Sequence, residues 1–191
     1  DIEGTIDATA RNAGELEVVT RPPRRPNTRV LLLMDVGGSM DPYAHLVSRL
    51  FSAASKATHF KEFKSYTFHN CIYGWLHDAS GSGQRVSVDD VLSECGPHFK
   101  LIVVGDAMMA PDELLSPGAA FLFDRQQHVA GFEWLLRLRH HFLRSVWLNP
   151  EPNNYWGHET IAQIARVFDM FPLTLDGLEG AVKHLIRGAA R

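Results

Sequence analysis

The apolar positions of this chain change their period along its length. Val30-Leu31-Leu32-Leu33-Met34 and Leu101-Ile102-Val103-Val104 are unbroken apolar runs of strand length, the pattern of strands buried on both faces. Between and after them the spacing turns helical. Asp41-Pro42 supplies a capping residue and a proline for the first helical position. Tyr43, Leu46, Val47, Leu50, Phe51 and Ala54 then recur at the three- and four-residue intervals of one buried helix face. Phe63 to Phe68 and Cys71 to Leu76 are two short strand-like runs broken at His69-Asn70, which predicts a hairpin. Residues 79–83 read as a loop, and Ser87-Val88-Asp89-Asp90 as a capping box that opens a short helix.

Downstream, the pattern predicts a helix over about 129–142 and a strand over 145–148. A second helix over about 159–168 follows, with Ile161, Ile164, Ala165 and Phe168 on one face. A brief strand at 171–173 leads to a last helix whose stripe is Leu178, Val182, Leu185 and Ile186. Apolar strands alternating with amphipathic helices predict a mainly parallel sheet with helices on both faces. Right-handed crossovers make this a doubly wound α/β sandwich. Residues 1–27 stand apart. They hold few large apolar side chains and end in Arg21-Pro22-Pro23-Arg24-Arg25-Pro26, which excludes helix. They read as an extended, partly proline-rich segment, with Leu16 to Thr20 at most an edge strand, ahead of a domain over 28–191. The chain opens on Asp1 rather than Met, which reads as a trimmed domain.

Composition narrows the function classes. Of 191 residues, 19 are basic and 22 acidic, for a net charge of −3. That balance offers no footprint for nucleic acid or an anionic membrane, and no apolar run is long enough to span a bilayer. Cys71 and Cys95 are the only cysteines and lie in no C-x-x-C pattern. That usage fits a reducing cytoplasm.

The candidate chemistry sits at strand ends. In an open α/β sheet, ligands bind beyond the carboxyl ends of the strands, where strand order reverses. The first apolar run continues into Asp35, and the second into Gly105-Asp106. If these strands are neighbours, two carboxylates converge within reach of one cation. Asp35-Val36-Gly37-Gly38-Ser39 adds a small-residue loop with a hydroxyl. Carboxylates, a hydroxyl and water are the hard oxygen donors that octahedral Mg²⁺ takes. An aspartate at a strand end also serves simply to cap the next helix, and both roles stay open for each residue taken alone. His69 and Asn70 fall at the same sheet edge, as turn residues or as supports of the site. Asn149 ends another strand and is placed at the crevice rim, with Tyr155 and Trp156 in the loop beyond it. His140-His141 at a helix end suits the helix dipole better than it suits a zinc pair.

Asp35-x-Gly37-x-Ser39 after a hydrophobic strand, with Asp106 after a later one, resembles the von Willebrand factor A (VWA) domain and its metal-ion-dependent adhesion site. That family's pattern is Asp-x-Ser-x-Ser, a Thr on a second loop and an Asp on a third. The resemblance covers roughly residues 28–187, and within the superfamily it is most similar to the bacterial CoxE-like branch. Position by position, it implies Asp35, Ser39 and Asp106 as metal ligands. Gly37 stands where the family has its first Ser, Ala107 stands where it usually has Gly, and Ser87 lies in the stretch of the Thr. The resemblance implies one weakly held divalent cation, Mg²⁺ or alternatively Mn²⁺ or Ca²⁺, and a protein partner. It further implies work beside a MoxR-type AAA+ ATPase in assembly or maturation of a protein complex, rather than enzymatic turnover.

Two other readings stay beside it. An aspartate-dependent phosphohydrolase of the haloacid dehalogenase type would need an acid two residues after the nucleophile, and Gly37 occupies that position. A metal-free interaction scaffold is the other. No Walker lysine motif, Gly-x-Ser-x-Gly elbow, His-Glu-x-x-His or dinucleotide fingerprint occurs.

Overall fold

A computed structural model describes residues 10–11, 28–58, 60–79, 83–117 and 129–187, with the side chains of 50, 52–58 and 187 left out. The N-terminal segment, apart from residues 10 and 11, the strand at Leu16 to Thr20 and the loop tip at 80–82 lie outside the described residues, as do the side chains of Leu50 and Ala54.

The apolar run at Val30 becomes β1 (Arg29–Asp35), the central strand of a seven-stranded sheet. On one side it pairs in parallel with β2 (Glu62–Phe68), which pairs with β3 (Trp75–Asp78), and β3 with β4 (Arg85–Ser87), both antiparallel. On its other side lie β5 (Lys100–Val104), β6 (Arg144–Asn149) and β7 (Asp169–Pro172), all parallel. The chain therefore crosses to β2 on one side of β1 and later to β5 on the other. The switch point falls between β1 and β5.

Helices cover both faces, as the alternation predicts. Val30 and Leu32 point to one face, where they pack with Val47 and Phe51 of α1 (Asp41–Thr58) and with Ala181 and Leu185 of α6 (Leu175–Arg187). Leu31 and Leu33 point to the other. There they meet α2 (Val88–Glu94), α3 (Pro111–Leu115), α4 (Gly131–His141) and α5 (Glu159–Ala165) through Val91, Leu114, Leu138 and Ile164. Each buried aliphatic side chain on these faces is worth about 1.5–3 kcal/mol.

The strand after the His69-Asn70 break is Trp75–Asp78, not Cys71 to Leu76. Cys71 donates its N–H to the His69 carbonyl, and Asn70 adopts φ 54°. This tight turn takes residues 71–73 out of the ladder, and their apolar side chains are buried in the core. An apolar run is equally suited to a strand and to a buried connection. The strand β4 and helix α3 are too short to leave a period in the sequence. Leu46, Val182 and Ile186 are exposed. The stripes that α1 and α6 bury are narrower than the periodicity allows. Both thiols are buried and free. Burial pushes Cys71 up to about 12 and Cys95 to about 11, so neither is a reactive nucleophile.

Candidate functional site

β1 ends on Asp35, and β5 lies beside it in register, Met34 opposite Val104. Gly105 therefore lies beside Asp35. A Cβ at Gly105 would come within 3.1 Å of the Asp35 Cβ and 3.4 Å of the Trp147 ring. Any larger residue there would have to push Asp35 aside by a few tenths of an ångström. The Trp147 indole N–H donates to the Gly105 carbonyl at 2.7 Å and fixes the chain as it leaves β5. Asp106 follows directly. Its Oδ1 accepts the Met108 N–H at 2.9 Å, and its Oδ2 accepts the hydrogen of the Ser39 hydroxyl. Ser39 lies in a 3-10 turn (Gly38–Met40) between β1 and α1. The three residues predicted at the switch point are thus gathered there.

Asp35 and Asp106 are nearly inaccessible, at 6% and 3% exposure. Burial pushes the Asp35 carboxyl from the ordinary 3.8 up to about 7, and the Asp106 charge adds to the effect. The N–H of Asn70, donated to Asp35 Oδ1 at 2.9 Å, and the nearby His69 act the other way. This is an acid that gains from an added positive charge.

His69 and Asn70 both serve this site. Asn70 takes up the left-handed φ that asparagine tolerates, and so aims its N–H at Asp35. His69 Nδ1 lies 2.6 Å from the Val36 carbonyl. A carbonyl can only accept, so Nδ1 carries the hydrogen. Gly37 has φ 85° and ψ 168°, a conformation open almost only to glycine. A Cβ there would meet the His69 ring at 3.1 Å. The imidazole therefore fills the space that a serine side chain at position 37 would need.

Asn149 is not at the rim. It is fully buried beneath the Asp106 loop, donating Nδ2–H to the Asp106 carbonyl at 2.8 Å and accepting the Glu151 N–H at 2.8 Å. Ser87 is three strands away from β1 in the sheet order. Its hydroxyl caps α2, accepting the Asp90 N–H at 3.0 Å. The structure does not bring it to the cluster.

Thr160, at the start of α5, went unnoticed in the sequence. It is fully buried, and its hydroxyl donates to the Ala107 carbonyl at 2.8 Å, while His158 Nδ1 lies 3.0 Å from the Thr160 Oγ1. Nothing in the local sequence distinguishes it from any threonine in a first helical turn. Ala107 itself adopts φ 58°, which explains why glycine suits that position. His141 is bound through Nε2 to the Cys95 carbonyl at 2.7 Å. Among the described residues, no group of three or more His, Cys, Asp or Glu is placed to hold a metal. The set at the switch point is two carboxylates and one hydroxyl, all hard oxygen donors.

The rim of the crevice is apolar as well as acidic. Val36 and Met108, each next to a site aspartate along the chain, are 37% exposed, and Tyr155 beyond β6 is 53% exposed. Among the described residues, no helix is long and apolar enough to cross a membrane.

Comparison with known proteins gives one family match. Residues 1–87, which carry β1, the Asp35-x-Gly37-x-Ser39 loop and the His69-Asn70 turn, match the family described as VWA domain containing CoxE-like protein. No curated protein and no solved structure matches the chain. The match takes in the first half of the sheet, and the order of the remaining strands completes the same α/β arrangement around Asp35 and Asp106. Over residues 1–87 the chain is thus similar to the VWA domain of CoxE-like proteins, and the sheet order over the described residues is consistent with that α/β fold.

Proposed function

We propose that this domain holds one divalent cation between Asp35, Ser39 and Asp106 and uses it to dock an acidic side chain of a protein partner, without turning over a substrate. The observation that carries the reading is the Ser39–Asp106 hydrogen bond beside a buried Asp35 at the β1–β5 switch point. The donor chemistry fits Mg²⁺ or a similar hard cation. Ser39 spends its hydrogen on Asp106, which leaves its oxygen lone pairs for a ligand role. Asp35 is a carboxyl whose ionisation a nearby positive charge favours. A bound cation would supply that charge and an open position for an oxygen from outside.

With Gly37 in place of a second hydroxyl, and the His69 ring packed against it, water must complete the shell. The reading therefore includes weak, exchangeable binding. The exposed Val36, Met108 and Tyr155 favour a macromolecular partner over a small solute. The CoxE-like resemblance points to a MoxR-type AAA+ ATPase as that partner, with assembly or maturation of a protein complex as the process.

The test is association with the ATPase in the presence of Mg²⁺ or of chelator. Asp35→Ala should abolish association while the protein stays folded, Ser39→Ala should weaken it less, and chelator should add nothing to Asp35→Ala. A partner that binds wild type and Asp35→Ala equally in chelator would leave a metal-free scaffold. Turnover of a phosphate ester that disappears in Asp35→Ala would make the domain a hydrolase.

A further inference from the structure

Beside the aspartate crevice, on the β2–β4 side of the sheet, lies a recess of about 240 Å³. Phe68, Tyr73 and Trp75 line it with aromatic surface, and His69, His77 and Arg85 bring basic groups to it. It is smaller than the roughly 300–1,000 Å³ of a site for a drug-sized ligand, and its size suits one inserted side chain.

Three observations define what it would accept. First, it is continuous with the site. Phe68 lies opposite Asp35 in the β1–β2 register, and its carbonyl accepts the Val36 N–H at 3.0 Å. His69, which also lines the recess, binds the Val36 carbonyl from its ring. Val36 is thus clasped on both backbone groups by two residues of the recess wall, one residue from Asp35.

Second, the walls are electrostatically structured rather than merely greasy. The Arg85 guanidinium stands 4.2 Å from the centre of the Trp75 ring, and the buried Trp75 indole N–H has no acceptor among the described residues. A ring inserted here would gain edge-to-face contacts with Phe68, Tyr73 or Trp75 and an attraction to the Arg85 cation. An aliphatic side chain of the same volume would gain only the burial. Third, His69, His77 and Arg85 complement a segment that carries negative charge.

We infer that this recess receives an aromatic side chain adjacent in sequence to the acidic residue that the partner presents to Asp35, Ser39 and Asp106. The inference rests on the cation-docking reading and specifies its ligand: an acidic residue beside an aromatic one. The acidic group and the ring would engage neighbouring parts of one surface, so the two contacts reinforce each other through effective concentration. The recess then selects among the many acidic side chains that a cation alone would accept.

The test has two arms, both on the full chain. In the first, phenol and isobutanol are titrated in chelator and followed by the NMR shifts of the Tyr73, Trp75 and His77 amides and the Trp75 indole N–H. Phenol should give saturable shifts there, unchanged by Asp35→Ala and stronger than those of isobutanol. Absence of phenol shifts at these positions, or equal response to isobutanol, overturns the assignment. In the second arm, N-acetylated, C-amidated Asp-Phe and Asp-Ala peptides are compared with Mg²⁺ present. The Phe peptide should bind at least about tenfold more tightly, the ratio expected of an aromatic contact added to apolar burial. His77→Trp, a larger ring at an exposed position of β3, should fill the recess and remove the advantage of the Phe peptide over the Ala peptide. Equal affinities, with both peptides still dependent on Mg²⁺, overturn the recess as the aromatic site. Failure of Mg²⁺ to strengthen either peptide instead contradicts the cation reading, while phenol still reports on the recess.

Discussion

Ser39 donates its hydroxyl hydrogen to Asp106, 67 residues further along the chain. The bond ties the loop after β1 to the loop after β5, the two strands between which the order of the sheet reverses. The proposed cation site depends on that junction.

The raised Asp35 carboxyl sets a pH dependence for cation binding. Its pKa is near 7 in the folded protein, so a cation that needs the carboxylate must displace a proton below that pH. Affinity should fall about tenfold per pH unit below 7 and level off above it. Calorimetric Mn²⁺ titrations in buffers of different ionisation enthalpy, between pH 5.5 and 8.5, check both the slope and the proton released.

The same shift makes Asp35 a source of instability when no cation is present. The folded state keeps its proton up to about pH 7, whereas the unfolded chain loses it near 3.8. Between these values the folded state binds more protons, so stability falls as pH rises and reaches its floor above 7. Asp35→Asn keeps an acceptor for the Asn70 N–H and has nothing to ionise. In chelator it should match wild type near pH 4 and exceed it at pH 8 by on the order of 2–4 kcal/mol. Urea unfolding at the two pH values measures the difference.

Asn149 braces the Asp106 loop from below through its bond to the Asp106 carbonyl, and holds its own loop through a second bond, from the Glu151 N–H. Asn149→Leu keeps the branched outline and removes both, leaving the Asp106 carbonyl and the Glu151 N–H without that partner. A loss of about 2–4 kcal/mol is expected. Cation affinity should drop as well, because Asp106 is no longer held. A variant equally destabilised in the remote α6 contact, such as Leu185→Ala, should lose stability without that drop.

Gly37→Ser writes the family's first serine back into the loop, and it should not improve cation binding. The backbone at position 37 is one that serine adopts only under strain, and the new Cβ would press on the His69 ring. A destabilisation of about 1–3 kcal/mol is expected. Adding His69→Ala should relieve the steric share and leave the backbone share, which thermal unfolding of the single and double variants separates.

How far the sequence reveals this site depends on the range over which each feature is determined. Asp35 and Asp106 are legible because each ends an unbroken apolar run, and fully buried parallel strands put their last residues in one crevice. The Ser39 loop is legible for the same reason. The place of His69 and Asn70 at the sheet edge can be read from the strand that precedes them. Their work cannot, since it follows from the left-handed turn at Asn70 and from the ring filling space above Gly37. Thr160 and the burial of Asn149 depend on how α5 and the β6 end dock under the Asp106 loop, and Thr160 lies 53 residues from the carbonyl it binds. The misplaced strand at Cys71 shows the same limit from another side. Burial makes a run apolar whether or not it pairs in the sheet.

The central claim is that Asp35, Ser39 and Asp106 hold a hard divalent cation. Electron paramagnetic resonance of Mn²⁺ titrated into the protein at pH 8, where Asp35 is ionised, tests it most directly. The account predicts one Mn²⁺ bound per chain, displaced by excess Mg²⁺, lost in Asp35→Ala and weakened less in Ser39→Ala. Free Mn²⁺ throughout the titration of wild type, or a titration of Asp35→Ala indistinguishable from it, would contradict the account.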